Sequence, residues 1–553
     1  MVGTLFTGAT IWAGPTCTPQ PGWLLVTGDS ITATGGQHTP PPPADTMIDL
    51  AGCHILPGFV DTHLHAGVVG WQTLGVDGAA WTDLREALAA IGAAAAADPQ
   101  APWLLCWNAR PFRWPQRRLP TAAELDAVAP GRRILVSGVD VHRGAVSTQA
   151  MRSLGITTLR AQAGDVGRDR RGRPTGEIWE QAYGEALARA LADAPGDPEQ
   201  LTRRALDRCL ALGITHAHEA YVAPQHHERM LRLAAASAPR LSWAVGAGAG
   251  LLSPADGPAA APGGDYGASG REAKLFLDGG DRCAVCLPAR ALGRLTLQAV
   301  RESVVARHPG PLRDALRRRS AVHRRELHLE YLRYTDREVT DLLAGYLEAG
   351  IRPRMHALGN LAARQAATAL RTAGAPPGAA VIDHLVLLDP ATVELVAASG
   401  AWATYQPGFI TTFGPQIAGG GTDRFLTVLG GRRLLDAGVP LTLASDHPAG
   451  PLDPLGNLRH AVHRTMPDGR RLQAGQALTP AEAVRALTVT AAESLGTPGG
   501  IVPGHPADLA ICDGDPFGAA TRVTQTWVAG RRVTPVASRR SLHDGRFMKG
   551  TAS

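Results

Sequence analysis

The sequence predicts an α/β protein: a closed (β/α)8 TIM barrel, a small β-sandwich domain built from both termini, and a lobe inserted after the first barrel strand. Three observations carry this reading. Eight short strand-like segments alternate, for the most part, with amphipathic helical stretches, as a parallel barrel requires. Polar residues recur at the C-terminal ends of those segments. Both ends of the chain are rich in short strands, while the long middle is not.

Taken in order, residues 1–57 read as short strands with turns, interrupted by a loop over 38–43 that ends in four consecutive prolines and must be extended. Matching strands recur near 508–511 and 523–528, so one small domain is expected from 1–57 plus 498–536. The barrel is expected over 58–497, with strands at 59–63, 214–218, 241–245, 273–277, 352–356, 381–384, 402–406 and 441–446. That count requires 70–195 to be an insertion with strands of its own near 104–106 and 134–137; the competing count adds these to the barrel. Residues 537–553 read as a polar tail.

Composition narrows the class. At 553 residues the chain exceeds one ordinary core, and 44% apolar with 19% charged residues places it among globular rather than disordered proteins. The net charge of +6 comes from arginines spread along the chain. Its one dense patch, Arg313 to Arg325, has no interleaved aromatics and reads as a solvated helix face, not a nucleic-acid surface. Seven scattered cysteines give no disulfide framework, and Cys283 with Cys286 is a lone CxxC lacking the second pair of a zinc ribbon. There is no basic-then-apolar leader and no apolar stretch long enough for a bilayer. The expectation is a cytoplasmic protein acting on a small molecule, without membrane or nucleic-acid partners; a homo-oligomer is compatible with it.

The chemistry starts at Pro57-Gly58-Phe59-Val60-Asp61-Thr62-His63-Leu64-His65. Residues two apart on a strand share a face, so His63 and His65 aim at one point, at the barrel end where active sites lie. Alone, such a pair reads more readily as two surface histidines. His356, His384 and Asp446 each end a later strand, however, and Lys274 lies within the fourth. Together these residues read as a site for Zn2+ or another divalent metal.

The order HxH, Lys, His, His, Asp on strands one, four, five, six and eight resembles the amidohydrolase superfamily. More narrowly, the chain resembles the branch containing N-substituted formamide deformylases and exoenzyme-regulatory proteins. The matching stretches include Arg173-Pro174-Thr175-Gly176-Glu177, Lys274-Leu275-Phe276-Leu277-Asp278-Gly279, Met355-His356-Ala357-Leu358-Gly359-Asn360 and Ser445-Asp446-His447-Pro448. The resemblance implies one or two divalent ions: His63, His65 and Asp446 on the first, His356 and His384 on the second, and a carboxylated Lys274 between them. It implies hydrolysis of an amide-type or N-substituted formamide C–N bond, with Asp446 moving the proton and His384 near the oxyanion. Deamination or other cyclic C–N cleavage, and a non-catalytic regulatory role, stand as alternatives on the same fold; a redox role for Cys283 and Cys286 is a further one. His142 and Glu180 in the inserted lobe, Gln406 at the end of strand seven and His447 beside Asp446 are candidates for substrate contact. The segment after Gly279, up to about Arg325, departs from the pattern by its length and arginine content.

Overall fold

The computed structural model describes residues 3–533, except 157–163, 236–237, 249–251, 253–254, 256–270, 281, 306–311, 313–319, 324–325, 330 and 420. Most of the Arg313–Arg325 patch and the whole 537–553 tail lie outside the described residues.

Eight parallel strands follow one another around the barrel in chain order: β1 Phe59–Leu64, β2 Ile214–Val222, β3 Arg240–Gly246, β4 Glu272–Phe276, β5 Arg352–Ala357, β6 Val381–His384, β7 Trp402–Tyr405 and β8 Leu441–Leu443. β8 returns to β1 through a 3.0 Å contact between the Thr62 and Thr442 hydroxyls. Just above it, the Asp446 amide donates to His63 O at 2.7 Å and the His65 amide to His447 O at 3.0 Å. The ring thus closes at the level where the predicted ligands stand.

The outer helices begin where the sequence supplies caps. Thr335 and Thr479 each form a reciprocal capping box with a glutamate three residues on, opening Asp336–Glu348 and Pro480–Leu487. Helix Asn360–Thr372 turns a face of Ala362, Ala363, Ala366, Ala367 and Ala369 inward, so it can approach the sheet closely.

The two termini meet in one eight-stranded sheet. Gly3–Ala13 lies within it, flanked by Thr18–Thr27 on one side and His54–Pro57 on the other, and Leu509–Cys512, Val523–Val528 and Arg531–Val533 extend it. Phe6, Leu24, Ile55, Leu509, Ile511 and Trp527 form a core separate from that of the barrel.

Between β1 and β2 the chain builds a second sheet of six strands, to which Leu104–Ala109 and Ile134–Gly138 belong. That decides the strand count: these segments pair with each other and not with the barrel. After β4 comes a three-stranded sheet of Val285–Pro288, Ser320–His323 and Glu326–Leu329, with helix Ala291–Val305 between its first two strands. Among the described residues, no helix is long and apolar enough to cross a membrane.

Candidate active site

Strand alternation on β1 puts Asp61 and His63 on the inner face. Asp61 Oδ1 accepts the Ser445 amide at 3.0 Å and so fixes the end of β8 against β1. His63 is buried with Nδ1 3.1 Å from Asp383 Oδ1 and Nε2 3.3 Å from Asp446 Oδ1. His65, just past the strand, has Nε2 3.2 Å from the same Asp446 oxygen and Nδ1 3.4 Å from Glu219 Oε1.

Alternation alone would put Asp383 and His384 on opposite faces of β6. Instead the backbone leaves the strand with φ 77° at His384 and 47° at Leu385, and the His384 ring joins the cavity wall while Asp383 stays inside the barrel. Asp446 likewise sits at φ 49°. Non-glycine residues held in the left-handed region cost energy that the surrounding structure must supply, and such positions cluster at functional sites.

His63, His384 and Asp446 offer ligand atoms that all lie within 4.8 Å of one another. The His356 ring centroid is 4.6 Å from that of His384. Among the described residues, Nε2 of both His356 and His384 is buried without a hydrogen-bond partner. Burial of polar nitrogens without partners is unusual. Burial also pushes the His384 imidazole down to about 3 and His356 well below its ordinary value. Both are therefore neutral at pH 7, the form that ligates metal. Burial opposes ionisation of Asp446, but the facing histidines hold its carboxyl well below the usual range. This donor set fits a divalent cation.

Beneath these groups lies a charged layer where many barrels carry branched aliphatics. Lys274 Nζ is 2.5 Å from Asp383 Oδ2, and burial pulls the amine below its ordinary value against that carboxylate. Arg354 donates to Asp383 Oδ1 at 2.9 Å and to Glu272 Oε2 at 2.8 Å. Glu272 also takes Arg352 at 3.0 Å and faces His218 Nε2 at 3.3 Å. The sequence reading passed over Asp383, Arg354, Glu272 and Glu219. The signal for two of them was available: 352, 354 and 356 share one face of β5, as 272 and 274 do on β4.

The remaining candidates divide. His142 lines the cavity, with Nδ1 2.8 Å from Glu180 Oε2 and its ring 5.1 Å from that of His356. Glu180 is fully buried and anchors His142, Arg333 (2.8 Å) and the Gly280 amide (3.1 Å) from behind. Gln406 is also fully buried, its Oε1 3.2 Å from His384 Nδ1, which orients that ring and turns Nε2 to the other side. His447 donates from Nδ1 to Gly450 O at 2.9 Å. Glu180, Gln406 and His447 are not on the cavity wall; they position groups that are. None of the seven cysteines is in a disulfide, Cys283 and Cys286 included.

The cavity above the barrel measures about 1310 Å3. Its floor is His63, His65, His356, His384 and Asp446, and the inserted lobe contributes Val141, His142 and Trp179. The opposite wall is apolar: Leu287, Leu327 and Leu329 from the small sheet after β4, Leu295 and Ala299 from the adjoining helix, and Phe409 and Phe413 beyond β7.

The profile of the amidohydrolase family matches residues 46–534. N-substituted formamide deformylase of Arthrobacter pascens is 27% identical over 533 residues, covering 92% of this chain and 94% of that protein. The putative amidohydrolase YtcJ of Bacillus subtilis is 25% identical, covering 86% of this chain and 87% of that protein. Among solved structures, an uncharacterized metal-dependent hydrolase from Pyrococcus horikoshii superposes with a TM-score of 0.65 at 17% identity, over 96% of this chain and all of that one.

Proposed function

Since this chain belongs to the amidohydrolase family, we propose that it hydrolyses the C–N bond of a small N-substituted formamide or related amide with the help of one or two divalent ions, Zn2+ being a suitable one. The observation that carries this is the convergence of His63, His384 and Asp446, whose donor atoms lie within 4.8 Å of one another, together with the buried Nε2 atoms of His356 and His384, which have no hydrogen-bond partner among the described residues. The similarity to N-substituted formamide deformylase over almost the full length of both chains supports the substrate class.

His63, His65 and Asp446 would hold one ion and His356 the other, with His384 placed to serve either; Lys274, if carboxylated, would bridge them. When bound, such ions polarise a carbonyl and lower the pKa of water from 15.7 to ~7. The Asp446 carboxylate accepts the proton of the attacking water and returns it to the leaving amine nitrogen. His142, its ring 5.1 Å from that of His356, can donate to the substrate carbonyl oxygen, its orientation fixed by Glu180. The apolar wall receives the N-substituent and excludes water from the reacting carbonyl.

The test is to incubate purified protein with N-alkyl and N-aryl formamides and measure formate and amine. Equal release of both, abolished by chelation and restored by Zn2+, is the expected result. Full activity in metal-free protein overturns the metal reading, and ammonia released from a ring substrate without formate overturns the formamide reading.

Lys274 gives a separate test. It is buried at the centre of the charged layer, so Lys274→Ala removes both a bridging group and the partner of Asp383. The variant is expected to bind less metal per chain, with partial rescue of activity by short carboxylic acids. Unchanged metal content and rate would make Lys274 purely structural.

A further inference from the structure

The segment after β4 carries a second convergence of metal-type donors. Strand Val285–Pro288 pairs antiparallel with Glu326–Leu329, and in that register Cys286 stands directly opposite His328. Glu326, two residues before His328, projects from the same face. Cys286 Sγ, a Glu326 carboxylate oxygen and a His328 ring nitrogen all lie within 4.8 Å of one another. His328 Nε2 and Glu326 Oε2 are already 3.3 Å apart. Donors at ~2.0–2.3 Å around a tetrahedral ion stand ~3.3–3.8 Å from each other. Closing the set therefore needs side-chain rotation, not backbone movement.

Two further observations favour a built site. The Cys286 backbone is clamped from both sides by one side chain: its amide donates to Asn360 Oδ1 at 2.8 Å, and Asn360 Nδ2 donates to its carbonyl at 2.9 Å. The charge balance is also suitable. Arg364, whose Nη1 is 3.9 Å from Sγ, is paired through Nη2 to Asp389 Oδ2 at 2.9 Å. With Arg364 neutralised by Asp389, a Cys286 thiolate and Glu326 leave net negative charge for a cation. Burial pushes the free thiol up to about 12, so an entering ion must displace its proton to solvent, as coordinated thiols do.

We propose that Cys286, Glu326 and His328 form a second cation site, for Zn2+ or a similarly thiophilic divalent ion, separate from the barrel centre. Its consequence follows from strand alternation. The other face of the same strands presents Leu287, Leu327 and Leu329 to the catalytic cavity. An ion on the outer face cross-links the two strands and stiffens the apolar wall, where the substrate's N-substituent would bind. The site thus acts on substrate binding, not on the chemical step.

Co2+ substitution decides the matter in the intact protein, because the barrel ligand set contains no cysteine. Cobalt-loaded wild-type protein is expected to show a near-ultraviolet thiolate-to-cobalt charge-transfer band and to hold about one ion more per chain than the barrel alone accounts for. Cys286→Ser should abolish the band and that ion, while His63→Ala should leave the band in place. His328→Ala, with the thiol intact, should shift or weaken the band, which covers the case in which the cysteine variant does not fold. In Zn2+-loaded protein, His328→Ala should raise KM several-fold with kcat little changed. Absence of the band in wild type overturns the proposal, as does its persistence in Cys286→Ser. So does an unchanged spectrum in His328→Ala. None of these spectral outcomes depends on whether the barrel centre binds metal.

Discussion

Asp446→Asn is expected to lower kcat by ~10²–10⁴-fold, the usual contribution of a positioned acid–base group. The substitution is well suited to the site. Asn tolerates the left-handed backbone more readily than other non-glycine residues, and residue 446 sits at φ 49°. An Ala there would add backbone strain to the chemical defect. Asn also keeps a polar atom near His63 Nε2 and His65 Nε2, which stand 3.3 and 3.2 Å from Asp446 Oδ1. What it loses is the negative charge that accepts a proton. The carboxylate also belongs to the donor cluster, so metal content must be measured on the same sample and the rate expressed per loaded centre. A loaded Asn variant turning over at a near-native rate would exclude Asp446 as the proton carrier. His447, adjacent in sequence, would not inherit the role, since its Nδ1 is committed to Gly450 O and its ring is off the cavity wall. His142, which does line the cavity, would be the next group to replace.

The barrel was legible because its strands are short apolar runs with polar ends, and because the strands at 104–106 and 134–137 could be assigned to an insertion. The six candidate ligands could be picked out for a related reason: five stand at or just past a strand's C-terminal end, and Lys274 lies within the fourth strand. What the linear pattern concealed follows from three physical causes. Glu272 and Arg354 are charged residues facing a barrel interior, where hydrophobic patterning places aliphatics, so the ion pairs that satisfy them are not visible strand by strand. Asp383 and His384 point into the same region only because of two successive positive φ values at His384 and Leu385, where no glycine or asparagine announces the turn. Glu219 reaches His65 because the pairing of β2 slips on both sides of it, and a bulge re-aims a side chain in a way strict alternation cannot anticipate. The pairing of Cys286 with His328 spans 42 positions of a segment with weak periodicity, so register, and with it the donor cluster, emerges only in three dimensions.

The second large effect is expected at Asp383, and it concerns stability. This fully buried carboxylate compensates three neighbours at once: Lys274 at 2.5 Å, Arg354 at 2.9 Å and His63 at 3.1 Å. Burial disfavours its charge, yet Lys274, His63 and Arg354 hold it well below the usual carboxylate range. Removing one member of such a group leaves buried charge uncompensated, which typically costs ~3–5 kcal/mol. Asp383→Asn, nearly isosteric, should therefore lower the unfolding free energy of the chelated protein by an amount of that order, read as a lower denaturation midpoint, without creating a cavity. The partner to blame can be identified. With Asp gone, Lys274 is the excess charge nearest to it, so adding Lys274→Met should restore part of the loss, and the double variant should be more stable than Asp383→Asn alone. Arg354 keeps Glu272 at 2.8 Å whichever residue stands at 383, which is why the lysine rather than the arginine is the one to neutralise. If Asp383→Asn unfolds at the wild-type midpoint, the charged layer is not what secures this part of the barrel. If the double variant is no more stable than the single one, the cost lies in the contacts with Arg354 and His63 instead.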